Sequence, residues 1–433
     1  MEGGPDGPRA DGMRILMVNL SYAPDEVGGA EVVLRTLSHL LAGRGCHVSV
    51  LCLSNRGKDW EYDDDGVRVR FLHAHPMGNQ MMNPNRKLPH KVLWQALAEY
   101  RGWSSRKVAH VIERERPDVV NTHNLLGLSL SAWTAARAAG IPLVHTLHGP
   151  SLLCPFGTML RSDRSCEGQC TGCRLATTRQ RLSSVLPDTV IANSAFTLEC
   201  HTRADYFPSA RKHVIPNAPA APGRSPRPRG TTVPGSPVRI GFLGRLLPYK
   251  GVDLLLDALG RLPPEGWTSK IAGTGTPDYV RELRKRAEGL APQVELSGWT
   301  SQDDFFDEID VLVIPSLIAE PQGMGALEAT CRGVPVVYAD HGGLRELAGT
   351  VGGAVPFPAN SVDDLARVLA RLIENPAELE ALRRDAAIPN VLCSSDRFAN
   401  AYLAAYGEAL PHRAGQPNAG TAPPGLAWPG SRP

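Results

Sequence analysis

A chain of 433 residues is long enough for two or three domains, and 42% hydrophobic with 21% charged residues is the balance of a soluble globular protein. A net charge of +2 points to neither nucleic acid nor a membrane as partner, and no apolar run approaches the roughly 18 residues that span a bilayer. The N-terminus has neither the charged start nor the apolar core of a secretory leader, which makes the cytoplasm the expected location. Nine cysteines, an odd count with four of them clustered, argue against a disulfide scaffold.

Residues 1–12, polar and Gly-rich, read as a disordered tail. Arg14 to Asn19 is a buried strand, and a loop with Pro24 and Gly28-Gly29 follows it. Ala30 to Ala42 spaces its apolar residues at helical intervals until Gly43 and Gly45 end the pattern, and His47 to Leu53 is a second strand. Strand, helix, strand in this order is a βαβ unit and implies a parallel sheet. Over 54–105 the pattern weakens: Val67 to Leu72 alternates as a strand does, and 74–90 reads as loop. A helix over Val108 to Arg116, a strand ending at His123, a helix over Leu130 to Ala139 and a strand from Ile141 into the turn at Gly149 continue the alternation. Ligands of open parallel sheets bind beyond the strand C-termini, where Asn121, His123, His145 and His148 lie.

Cys154, Cys166, Cys170 and Cys173 come next, separated by eleven, three and two residues. Four thiolates at such spacing close a tetrahedral zinc site; an iron–sulfur cluster and free thiols are the other readings. The Gly, Ser and Asp around them describe a loop in need of a staple, with no open coordination position for chemistry. Thr189 to Ser194 is a strand that ends on a good helix N-cap, and the helix starts at Ala195. After His213 to Asn217, residues 218–237 carry the Pro, Gly, Arg and Ser of a linker.

Val238 to Gly244 restarts the strand pattern. Arg245 and Lys250-Gly251 occupy the loop before a helix over Val252 to Leu259. Ser269 to Gly275, a strand with a Gly turn, precedes an amphipathic helix over Tyr279 to Leu290, a strand and turn over Val294 to Trp299, and a helix over Phe305 to Asp310. The stretch from Val311 to Glu328 is the richest in chemistry. A β-branched strand stops at Pro315; Pro321, Gly323 and Gly325 make a turn; Ala326 opens a helix. Free backbone N–H groups gather at such a point and favour a phosphate. Glu320 and Glu328 bracket the turn, and since carboxylates repel phosphate they are read as acceptors for hydroxyls. A ligand with phosphate in the middle and hydroxyls at both ends is a nucleotide sugar. A strand over Gly333 to Ala339, a Gly-Gly turn at His341 to Gly343 that reads as structural support, a helix over Asp363 to Arg384 and a last helix over Arg397 to Leu410 complete the pattern; 411–433 read as a second disordered tail.

In order, Gly28-Gly29-Ala30-Glu31, the His148 turn, Arg245 with Lys250-Gly251, and Glu320 with Glu328 resemble the motifs of the retaining glycosyltransferases of family four, over about residues 13–410. The resemblance implies the α/β GT-B fold: two facing Rossmann-like, doubly wound parallel-sheet domains, 13–217 on the acceptor side and 238–395 on the donor side, with a helix at 396–410 crossing back. It implies that Gly28 and Gly29 approach the donor diphosphate and that His148 contacts the donor sugar, with His123 and His145 as alternatives. Arg245 and Lys250 would grip the diphosphate, and Glu320 would hold sugar hydroxyls. Gly323, Met324 and Gly325 would offer amides to the diphosphate, and Glu328 would hold the ribose. A subset of the family carries a similar cysteine-rich loop. Where the family has Phe-Gly after Glu-Pro, this chain has Gln322-Gly323, a departure expected to bear on which sugar fits. The implied partners are a nucleotide sugar, without a catalytic metal, and a glycan, lipid-linked or small-molecule acceptor; a lipid-linked acceptor would bring peripheral membrane association. The alternatives are a GT-B epimerase or phosphorylase and a non-catalytic nucleotide-sugar-binding subunit.

Overall fold

The structure, a computed structural model, describes residues 12–25, 28–54, 56–73, 103–125, 130–161, 164–220, 236–290, 292–388 and 391–410. The two expected tails apart from Gly12, most of the expected linker and the loop expected at 74–90 lie outside the described residues.

The first sheet has eight strands: β1 (Arg14–Val18), β2 (His47–Ser54), β3 (Trp60–Asp64), β4 (Val67–His73), β5 (Val119–Thr122), β6 (Leu143–Leu147), β9 (Thr189–Ala192) and β10 (Arg211–Val214). Their spatial order is β10-β9-β6-β5-β1-β2-β4-β3. All neighbours pair parallel except β3, which is antiparallel to β4 at the edge. Successive side chains of a strand point to opposite faces. In β1, Ile15 and Met17 enter one core cluster while Leu16 and Val18 enter another, so both faces are covered and the strand reads as a continuous apolar run. Helices α1 (Gly29–Ala42), α2 (Trp103–Glu115), α3 (Ser131–Ala138) and α6 (Ala195–Thr202) supply the cover. Between β6 and β9 the chain makes a small hairpin, β7 (Leu160–Arg161) with β8 (Arg164–Ser165), and two short helices, α4 (Thr171–Ala176) and α5 (Thr178–Ser183), where the sequence reads as loop.

The second sheet is all parallel, in the order β13-β12-β11-β14-β15-β16, built from β11 (Val238–Leu243), β12 (Trp267–Ala272), β13 (Val294–Gly298), β14 (Val311–Ile314), β15 (Val336–Ala339) and β16 (Ala354–Phe357). Val311 and Val313 face one core and Leu312 the other. Its helices are α7 (Val252–Leu259), α8 (Pro277–Glu288), α9 (Gln302–Asp307), α10 (Met324–Thr330), α11 (Gly343–Ala348), α12 (Val362–Glu374) and α13 (Pro376–Ala386). The single helix expected over Asp363 to Arg384 is two. Pro376 cannot continue a helix from the preceding turn, and the Asn375 side chain instead accepts the amide of Glu378 and caps a new one.

The last helix, α14 (Ser395–Ala409), buries Phe398, Tyr402 and Tyr406, four residues apart, in the core beside α1. The hydroxyl of Tyr406 accepts a 2.7 Å bond from Asn121 at the end of β5. Asn121, a strand-end candidate, is thus tied to α14. Two doubly wound sheet units facing each other is the GT-B architecture.

Candidate functional site

In a doubly wound sheet the chain leaves the central strand in one direction and returns on the other side, opening a crevice at that strand's C-terminal end. In the first sheet the crevice lies between β1 and β5, and in the second between β11 and β14. The loops carrying Gly28-Gly29 and His123 follow the first pair; those carrying Arg245-Lys250 and Glu320 follow the second.

The loop after β11 is held tightly. Gly251 has φ +76°, and a Cβ there would stand 1.9 Å from the carbonyl oxygen of Pro315. Gly273, with φ +144°, brings the turn after β12 against Gly244 in the same way. The consequence is a short ion pair between the two loops. Lys250 Nζ donates to Glu320 Oε1 over 2.6 Å, and the Ser316 hydroxyl donates to the same oxygen over 2.6 Å. Burial pushes the Glu320 carboxyl up, but the Lys250 ammonium and the Ser316 hydroxyl outweigh it and hold the group below the ordinary range. Arg245 is exposed, and among the described residues its guanidinium forms no ion pair. It is the cation of this loop that no carboxylate neutralises among the described residues.

Gly323 caps α10 in the left-handed region, φ +90°, where a Cβ would collide with Leu344. Met324 and Gly325 form the first turn of α10, and Glu328 lies one turn on, buried. Burial raises the Glu328 carboxyl, opposed by a hydrogen bond from Gln302 and the charge of Arg332. The Gly-Gly turn at 342–343 packs on this stretch: the amide of Gly343 donates to Glu320 O over 2.7 Å, and a Cβ on Gly343 would meet Pro321 O at 2.0 Å. His341 Nε2 lies 2.9 Å from Ser316 O.

The opposite wall comes from the first sheet unit. Gly149, next to His148, lies so close to Pro321 that a Cβ would meet its ring at 3.3 Å. The Ser194 and Thr197 hydroxyls donate to Pro321 O, and the amides of Ala195 and Phe196 at the start of α6 donate to the Glu346 carboxylate. Gln322, the departure from the family pattern, accepts from the amide of Asn217 over 3.0 Å. Ser165, at the end of the β7–β8 hairpin, accepts from the amide of Ala319 and donates to Leu317 O. Sequence reasoning missed these cross-links because the partners are 100 or more residues apart and no local pattern marks them.

Gly28 caps α1 and donates its amide to Glu31 over 2.9 Å, and Gly29 is the first residue of that helix. Of the three candidate histidines, His145 is buried against Trp133 and Phe207 and bonded to Thr122, and His123 is buried beside His148. Only His148 is partly exposed.

A metal at the four clustered cysteines finds no support in the structure. Among the described residues, no group of three or more His, Cys, Asp or Glu side chains is arranged to hold a metal. Burial and a hydrogen bond with Cys170 push Cys173 up to about 12, and Cys173 also bonds Cys154. Contact with the Cys173 backbone and thiol holds Cys170 below its ordinary range. Cys154 is buried, Cys170 exposed and Cys166 between the two. Cys154, Cys170 and Cys173 thus meet through Cys173. Cys331, which caps α10, is instead bonded to Cys393, 62 residues away, a pairing no spacing announced.

The family model described as "Glycosyl transferase 4-like domain" matches residues 28–218, and that described as "Glycosyl transferases group 1" matches 237–375. The chain belongs to the group 1 glycosyltransferases. It is 27% identical to a D-inositol 3-phosphate glycosyltransferase of Xylanimonas cellulosilytica, covering 94% of this chain and 99% of that one. It is 29% identical to the 2-deoxystreptamine N-acetyl-D-glucosaminyltransferase of Streptomyces fradiae, covering 85% and 87%. Among solved structures it is similar to sucrose-phosphate synthase of Thermosynechococcus elongatus, with TM-score 0.68, 17% identity and 92% and 96% coverage. It is also similar to HepE of Anabaena in complex with UDP and glucose, with TM-score 0.63, 22% identity and 90% and 97% coverage. Among the described residues of this glycosyltransferase, no helix is long and apolar enough to cross a membrane.

Proposed function

We propose that this glycosyltransferase moves a sugar from a nucleoside-diphosphate sugar to an acceptor hydroxyl with retention of anomeric configuration. The observation that carries the reading is the Lys250–Glu320 pair at the β11–β14 crevice, one helical stretch from the buried Glu328 and facing the His148 turn across Pro321. Lys250 has three ammonium protons. One is spent on Glu320, which keeps that carboxylate ionised and leaves the others for the diphosphate. Arg245 and the amides of Gly323, Met324 and Gly325 add to the same task, and charge on the departing diphosphate is where a fixed cation contributes most. Glu320 accepts hydroxyls of the sugar and Glu328 those of the ribose. Gly28 and Gly29 border the diphosphate from the opposite domain, and His148 contacts the sugar.

Retention follows from attack on the face the leaving group vacates. The bond from the anomeric carbon to the phosphate oxygen breaks, the acceptor oxygen bonds to that carbon, and its proton passes to the departing phosphate oxygen. No protein base is needed, and His148 and Glu320 serve by binding and orienting the sugar. Relatives named for inositol phosphate and 2-deoxystreptamine favour a small hydroxylated acceptor over a glycan or a membrane-bound lipid-linked one. The test is incubation with a panel of nucleotide sugars and such acceptors, following nucleoside diphosphate release and the anomeric coupling constant of the product. A product of inverted configuration, or nucleotide release without glycosylated product, would overturn the reading; the second result belongs to an epimerase or phosphorylase.

A further inference from the structure

His123 follows β5 and His148 follows the neighbouring strand β6. Their rings lie within 21° of parallel, and His123 Nδ1 stands 2.8 Å from His148 Nε2. Such a bond takes one proton, so one nitrogen donates and the other accepts. If His148 donates from Nε2, a neutral His123 must carry its own proton on Nε2. That nitrogen is buried and has no hydrogen-bond partner among the described residues. An orphaned buried N–H is among the rarest arrangements in folded proteins, rarer than an unused acceptor. The alternative leaves only a bare lone pair: His123 carries its proton on Nδ1 and donates it to His148 Nε2. His148, neutral, then has its proton on Nδ1. Burial keeps both imidazoles well below their ordinary range, His148 at about 4, so neither is charged at neutral pH.

The His123 backbone is held in turn. Its amide donates to Val18 O over 2.8 Å, and the amide of Asn124 donates to Asn19 Oδ1 over 2.9 Å. Asn19 Nδ2 donates to Ser21 O and to Glu31, and Glu31 receives the amide of Gly28. A single hydrogen-bonded chain therefore runs from the Gly28 loop to the histidine pair.

We infer that His123 is a positioning residue that locks His148 as its Nδ1–H tautomer, so that His148 offers a hydrogen-bond donor to an oxygen of the bound sugar. The inference rests on the reading of His148 as a sugar contact. It makes the second histidine, buried and away from solvent, a determinant of the reaction.

The test combines nitrogen-15 NMR of histidine-labelled protein with steady-state kinetics. The wild-type spectrum shows His148 protonated on Nδ1. In His123→Leu that preference is lost and kcat falls about 100-fold, the scale on which small misplacements act, while affinity for nucleoside diphosphate is unchanged. In His123→Asn the side-chain amide donates to His148 Nε2 again, restoring the Nδ1–H signal and most of kcat. A wild-type His148 protonated on Nε2 would overturn the inference, as would a folded His123→Leu with wild-type kcat. His148→Ala with unimpaired transfer would overturn the sugar-contact reading alone, because the tautomer measured without ligand judges the lock separately.

Discussion

Replacing Lys250 by Met removes one member of the ion pair on which the donor-site argument turns. The ammonium and the Glu320 carboxylate are 2.6 Å apart, and the two side chains keep only 22% and 12% of their exposure. Removing one partner of a buried pair costs about 3–5 kcal/mol, and the residual solvent access here places the loss at the low end, about 3 kcal/mol. At roughly 2–4 °C per kcal/mol for a domain of this size, the melting transition of the second domain falls by about 6–12 °C. The pH dependence changes sign as well. In the wild type the folded-state pKa of Glu320 lies below its unfolded value, so the pair stabilises fully above the unfolded pKa and the contribution is lost as pH falls through the folded one. Without Lys250, burial dominates and the folded pKa rises above the unfolded value. The carboxylate then destabilises at neutral pH, and acidification relieves the penalty. Loss of a cation facing the leaving group should also cost about 100- to 1000-fold in kcat. Differential scanning calorimetry at several pH values and turnover at saturating donor measure both effects. A variant that melts and turns over like the wild type at neutral pH would refute the reasoning.

Gly251→Ala places a Cβ 1.9 Å from the Pro315 carbonyl oxygen at φ +76°, and the left-handed conformation alone costs about 1–2 kcal/mol; the expected result is a lower melting temperature with turnover lost, and a variant with wild-type melting would show that the loop has room. Glu346→Gln weakens the anionic cap that the second domain places on the α6 amides of Ala195 and Phe196, a loss of about 1 kcal/mol of domain closure. Small-angle scattering should then report a larger radius of gyration in the absence of ligand, and an unchanged curve would deny the contact its role in closure.

Much of the fold was legible because parallel strands buried on both faces are apolar runs that end in Gly or Pro. Val311 to Ile314, stopped by Pro315, is of this kind; Ile15 to Val18 is a similar buried run that ends at Asn19 instead. The break at Asn375-Pro376 was also written in the sequence, since Pro and an N-cap residue mark a helix start. The edge strand β3 was harder: alternate exposure weakens its apolar signal. What no local pattern carries is a pairing across the chain. The Asn121–Tyr406 bond, the Ser165 contacts with Leu317 and Ala319, and the Cys331–Cys393 disulfide depend on the two sheets having already formed. Ser316 and His341 lie in stretches that the sequence singles out, but their contacts around Glu320 are not marked there. For the cysteine cluster, spacing alone does not say which thiols meet: Cys173 bonds both Cys154 and Cys170.

The crevice of the second sheet is proposed to hold a nucleoside diphosphate, with Glu328 on the ribose. Isothermal titration calorimetry of the intact chain against the common nucleoside diphosphates tests it most directly. At least one of them should bind with micromolar affinity, and Glu328→Ala, with unaltered circular dichroism, should lose that binding. Absence of binding by every nucleotide, or undiminished binding by Glu328→Ala, would contradict the account.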